Sequence, residues 1–148
     1  MRTLFPLVIA ALLLGCQTPD DASTSSPAPV SMTGPAVSAI AGDMASRLSE
    51  QIGPANSVTI KMNNDKSDFA TALEAALKGW GYAVITDGKV GKDVKLVELT
   101  YSVDGVDGQV LARLSTSSIA LTRVYTASTT GAVPASPLSI MQPTDGRI

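Results

Sequence analysis

Between residues 36 and 127 the apolar side chains recur with two different periods. Val37, Ile40, Met44, Leu48 and Ile52 follow steps of three and four, the spacing of one helical face. Asp43 and Arg47 stand four apart on the polar side and pair weakly, and Gly53-Pro54 stops the helix. Val58, Ile60 and Met62 then alternate with Thr59 and Lys61, which predicts a strand. Asn63-Asn64-Asp65 turns the chain, and Asp65 or Ser67 caps a second helix. Its stripe is Phe69, Leu73, Ala76, Leu77 and Trp80, with Lys66, Asp68, Glu74 and Lys78 facing water and Gly79 and Gly81 closing it. Trp80 is expected to be the main core anchor.

The remainder has the pattern of strands. Tyr82 to Thr86 is short and apolar, and Asp87-Gly88 opens a turn that runs through Gly91. Val97, Leu99, Tyr101 and Val103 alternate with Glu98, Thr100 and Ser102, so this strand has one wet face. Asp104 to Gly108, with two Asp-Gly pairs, is expected to be a hairpin loop. Gln109 to Thr116 and Ile119 to Thr126 complete two further strands, whose facing Leu111, Arg113 and Arg123 blur. The expected fold is α+β: one small domain over 36–127, two helices packed on a mostly antiparallel sheet of about five strands. A domain of this size buries ~60–65% of its unfolded surface, enough to fold alone.

Both flanks lack such periodicity. Residues 17–35 are rich in Pro, Ser, Thr and Ala and bury too little surface to offset their ordering entropy. Together with Cys16 they form the expected tether, about 60 Å long in polyproline form and roughly 25 Å as a coil. Residues 128–148 form a second flexible, proline-rich tail. It contains an apolar island, Pro137 to Met141. The island either lies on its own domain or in disorder, or docks on a partner by strand addition or in a groove; Leu138, Ile140 and Met141 are the docking candidates.

The first residues change the picture. Arg2 precedes an apolar run from Leu4 to Leu14, interrupted only by Pro6. A spanning helix needs roughly 20 apolar residues, whereas a signal-peptide h-region is about 7–15. Leu13-Leu14-Gly15-Cys16 then matches a bacterial lipobox, and Cys16 is the sole cysteine. Residues 1–15 are therefore read as a lipoprotein signal peptide and Cys16 as the lipid attachment point. One myristoyl chain holds a protein only marginally, but a diacylglyceryl group with an N-acyl chain makes the anchor effectively permanent. Gln17, rather than Asp, favours the outer membrane, facing the periplasm.

Composition removes several chemistries. The chain has no histidine, and its one cysteine is assigned to lipid. Ser-His-Asp and Cys-His catalysis, disulfides and Cys/His zinc sites are excluded. Loss of residues 1–15 takes away Arg2 and no acid, so the net charge of −2 becomes −3. No basic patch supports direct nucleic-acid binding. Asp104 and Asp107 lack the alternating ligands and distant Glu of an EF-hand, and the glycines between 79 and 91 form no phosphate loop. Ser115, Ser117 and Ser118 have no base to activate them. No catalytic residue, cofactor or metal is expected, and an enzyme is not.

The stretches SAIAGDMASRLSEQIGPA (38–55), FATALEAALKGWGYAVITDGKV (69–90), DGQVLAR (107–113) and ASPLSIMQ (135–142), behind a lipobox, resemble the TrbH family of conjugal-transfer lipoproteins of Ti-type and related plasmids. The resemblance covers nearly the whole chain after the leader and brings no catalytic motif; Cys16 is the one site residue it carries over. It implies membership of a mating-pair-formation apparatus, a type IV secretion system. In it a small outer-membrane lipoprotein would stabilise the envelope-spanning core by protein–protein contacts. By analogy its partner would be the periplasmic protein of the outer-membrane ring. The helix–strand order is similar to small periplasmic domains of secretins and of some secretion-system lipoproteins, a likeness of fold alone. The alternative is a periplasm-facing lipoprotein that binds a small ligand, lipid or cell-wall fragment, which needs a pocket lined by Trp80, Tyr82 and Tyr101 or a cluster of polar groups converging in a cleft.

Overall fold

The computed structural model describes residues 32–143 except 89 and 92. Thr33 opens the first helix: its side-chain oxygen accepts the Ala36 N–H at 3.3 Å, and Pro35 occupies the first turn, where a missing N–H costs nothing. This helix, α1, is Gly34–Ile52. Its expected stripe is all buried, with Ala41 and Ala45 beside it letting neighbours approach closely. Gly53, at φ 98°, and Pro54 end it, and a 3-10 turn at Ala55–Ser57 leads into β1, Val58–Met62. Ser67 caps α2, Asp68–Gly79, accepting the Ala70 N–H at 3.2 Å. Asp65 holds that cap, accepting from the Ser67 N–H at 2.9 Å and from its hydroxyl at 2.8 Å. Both candidate capping residues are therefore used, one to cap and one to aim the cap.

About five strands were expected; the described residues form seven. They are β1, β2 (Ala83–Ile85), β3 (Lys95–Val106), β4 (Gln109–Ser115), β5 (Ala120–Ala127), β6 (Ala132–Pro134) and β7 (Ser139–Met141). The order is β2-β1-β3-β4-β5-β6, with β7 also on β5. β1 runs parallel to β2 and to β3; the other pairings are antiparallel. The fold is thus the expected α+β, with a βαβ unit (β1-α2-β2) on one side of an antiparallel meander. The β3–β4 turn uses only the second Asp-Gly pair. β3 continues to Val106, and Asp107 and Gly108 both have positive φ, 48° and 76°, the two-residue hairpin geometry that matches strand twist.

Both helices cover one face. Val58, Ile60, Met62, Leu99, Val110, Ala112, Leu114, Leu121 and Tyr125 point toward them and join Ile40, Met44, Leu48, Leu73 and Leu77 in one core. α1 packs on α2, β4, β5 and β6, and α2 packs on β2. Residues such as Glu98, Thr100, Ser102 and Arg113 lie on the opposite, open face.

Trp80 is not the anchor expected of it. It is 53% exposed. Its backbone N–H still bonds to Ala76 and Leu77, but α2 ends there, and Gly81 at φ 93° swings the next residue inward. Tyr82 takes the anchoring position, buried, with its hydroxyl donating to the Gly53 carbonyl at 2.6 Å.

The segment from 128 onward, expected to be a flexible tail, carries β6 and β7 in its described part. Tyr125 to Ala127 pair with Ala132 to Pro134, and Ala120 to Thr122 pair with Ser139 to Met141, so the two short strands share one edge of β5. Pro134 is tolerated because an edge strand has one side without ladder bonds.

Candidate functional site

Of the residues singled out for function, Cys16 lies outside the described residues. Leu138, Ile140 and Met141 are within them, and the structure separates them. Leu138 is half-buried against the core. Ile140 pairs with Leu121 and so shares the helix-covered side, whereas Met141 pairs with Ala120 on the open side. They are 44% and 62% exposed. Ile140, Met141 and the 63%-exposed Val133 of β6 are the apolar side chains that this edge shows to solvent.

A polar network that sequence reasoning missed holds the edge in place. Asp43, on the sheet-facing flank of α1, accepts from the Tyr125 hydroxyl at 2.6 Å and from Arg123 Nη1 at 2.9 Å. Arg123 Nε donates to the Ser136 carbonyl at 3.1 Å, and Ser136 Oγ accepts the Val124 N–H at 2.9 Å. The Ala135 N–H donates to the Val124 carbonyl at 2.8 Å. One guanidinium thus ties helix, strand and the link between β6 and β7. The expected partner, Arg47, sits 3.7 Å from Asp43 and is the weaker, more exposed contact. The Tyr125 hydroxyl is pushed well above the usual phenol range, first by burial, then by its bond to Asp43 and that carboxylate's charge. The legible signal was Arg123 itself: a charged residue at an inward position of β5, between Leu121 and Tyr125, must meet an anion.

A second feature lies at the opposite side of the sheet. β1 stops at Met62, opposite Leu99, but β3 runs on to Val106. Past the end of β1, between the starts of the two helices, is a cleft of about 370 Å³. Met32, Val37, Phe69, Tyr101 and Val103 supply its apolar lining, and Asp65 and Asp68 its charge. Phe69 and Tyr101 meet at 5.9 Å between ring centres. The Tyr101 hydroxyl donates to Asp65 Oδ2 at 3.2 Å, and burial together with that carboxylate pushes it up to about 12. Asp65 is held below the usual carboxylate range, chiefly by the Ser67 backbone N–H.

The aromatic pocket required by the ligand-binding alternative does not assemble. Trp80 is on the surface, Tyr82 is buried in the core, and Tyr101 faces the cleft without them. Among the described residues no group of three or more His, Cys, Asp or Glu is placed to hold a metal ion. No described helix is long and apolar enough to cross a membrane.

The family model for conjugal transfer protein TrbH matches residues 18–144. The chain belongs to the TrbH family. A probable conjugal transfer protein TrbH of Sinorhizobium fredii (strain NBRC 101917 / NGR234) is 70% identical over 144 residues, covering 95% of this chain and 97% of that protein. No solved structure matches the chain significantly. The TrbH-family region contains the two described helices, the seven described strands, the cleft and the Asp43–Arg123–Tyr125 network.

Proposed function

We propose that the chain is a lipid-anchored structural subunit of a conjugative type IV secretion apparatus, held at the outer membrane through Cys16 and facing the periplasm. The observation that carries this reading is the family match from residue 18, directly behind Leu13-Leu14-Gly15-Cys16. The TrbH family supports the role in conjugation; the position of the lone cysteine behind a short apolar run supports the anchor. A domain with a closed core and exposed apolar side chains at one sheet edge suits a part that works by touching other subunits. Its partner is a periplasmic protein of the outer-membrane ring, and Ile140 and Met141 are the tail residues free to meet it; Leu138 contributes by holding β7 to the core.

Cys16→Ser tests the anchor. The expected result is loss of acyl-chain mass, loss of the protein from the outer-membrane fraction, and plasmid transfer lowered toward that of donors lacking the gene. A native polypeptide with an unmodified thiol, or full transfer from the Cys16→Ser donor, overturns it. Ile140→Lys with Met141→Lys tests the contact surface, because both side chains are exposed. Partner co-purification from envelopes falls if the tail docks and is unchanged if it does not.

A further inference from the structure

We propose that the free half-edge of β3, Thr100–Val106, is a docking slot for an extended, basic segment of another protein, which adds there as a strand in line with β1. Three observations converge on it. The first is an open ladder. β1 pairs with Lys95–Leu99 only, and no described strand lies on that side of Thr100–Val106, although β4 pairs with the same residues on the other side. Alternate N–H and C=O groups over about 23 Å of strand are thus presented at the edge. The second is that this edge opens into the cleft of about 370 Å³, where Val37, Phe69 and Val103 receive apolar side chains from an incoming strand. Strand addition of this kind takes affinity from the backbone ladder and selectivity from pockets for alternate side chains.

The third observation selects the occupant. The charged groups lining the cleft are Asp65 and Asp68, and no Lys or Arg lines it. The partial positive charge at the start of α2 is already met by the Ser67 cap and by Asp68. The slot therefore favours a lysine- or arginine-bearing segment and repels an acidic one. This chain's own residues 17–31 are the wrong chemistry: they contain Asp20, Asp21 and three prolines, and no basic residue. Proline lacks the N–H that a ladder needs. The inference is independent of acylation at Cys16 and of the tail.

Hydrogen exchange read by mass spectrometry, on the full chain purified from envelopes in detergent, tests it. The probe is the peptide Lys-Val-Thr-Val-Thr-Val-Lys; its counterpart has glutamate at both ends. The free chain is expected to exchange the cleft-side amides of Thr100–Val106 rapidly. The lysine peptide slows them and leaves the β5 edge unchanged, and it binds about tenfold more tightly than the glutamate peptide. Asp65→Asn with Asp68→Asn removes that preference. The single Asp68→Asn change, which leaves the Asp65–Ser67 cap in place, reduces it. Several results overturn the proposal. They are no protection by the lysine peptide, equal binding of both peptides, protection at β5 instead, protection already present in the free chain, and protection that rises with chain concentration as a second copy fills the slot.

Discussion

Beneath α2 the sheet meets its helix through apolar side chains: Phe69, Leu73 and Leu77 share one buried core with Ile60 and Met62. Beneath α1 the contact is mixed. Ile40, Met44 and Leu48 pack as expected, but Asp43 also reaches Arg123 and Tyr125. The first half is a βαβ unit, local in sequence, whose helix meets the sheet mainly by apolar burial, with the Tyr82 hydroxyl also bonded to the Gly53 carbonyl. The second joins residues eighty positions apart and carries a two-strand edge added by the last part of the chain. Burial is non-directional and tolerates small shifts, whereas an ion pair with hydrogen bonds specifies one arrangement. The difference explains why three-residue strands stay on β5: each buries little, and Arg123 supplies what their side chains do not.

The contrast is testable, beginning with its apolar side. Leu73→Ala removes a fully buried side chain and is expected to cost about 2–5 kcal/mol, lowering the cooperative melting transition of the whole domain. A loss confined to α2 and β2 in hydrogen exchange would show that the two halves unfold separately. Asp43→Ala comes next. It strips the carboxylate from a half-buried guanidinium and a buried phenol, at about 1.5–3 kcal/mol. Amide protection should fall first over residues 132–141, whereas Leu73→Ala should leave no such local signature.

The tyrosines sharpen the comparison along the pH axis. Tyr101 is pushed up to about 12, and Tyr125 also lies above its ordinary value of 10, so the folded chain keeps its phenol protons where the unfolded chain loses them. Stability is therefore full below about pH 10 and declines as pH rises from there through the folded values. Tyr125→Phe should flatten that alkaline decline, in a series of denaturant midpoints measured between pH 9 and 12, by more than Tyr82→Phe does. The smallest effect belongs to Trp80→Ala. With the ring half in water, the change is expected to stay within about 0.5 kcal/mol in denaturant unfolding. A cost comparable to that of Leu73→Ala would restore it as an anchor.

These particulars also measure what could be read in advance. The α1 stripe, Val58-Ile60-Met62, the Ser67 cap with Asp65, and the alternation of β3 were all legible, because each is a short-range pattern set by helix or strand geometry. Trp80 was misplaced because a stripe continues smoothly across a helix end, while the burial does not. Arg123 blurred the facing of β5 because its compensating carboxylate is on α1, far away in sequence. β6 and β7 were missed because three residues with a proline carry no periodic signal; pairing alone makes them strands.

Local chemistry written in the chain thus settled the helices, the long strands and the hairpin turn, since capping, alternation and turn geometry act over a few residues. Tertiary structure alone decided that β1 pairs in parallel with β2 and β3, that the last segment becomes a sheet edge, and that β3 outruns β1 to leave a slot. Each of those depends on which distant segments meet. Ladder bonds, ion pairs and clefts exist only once the chain has closed on itself.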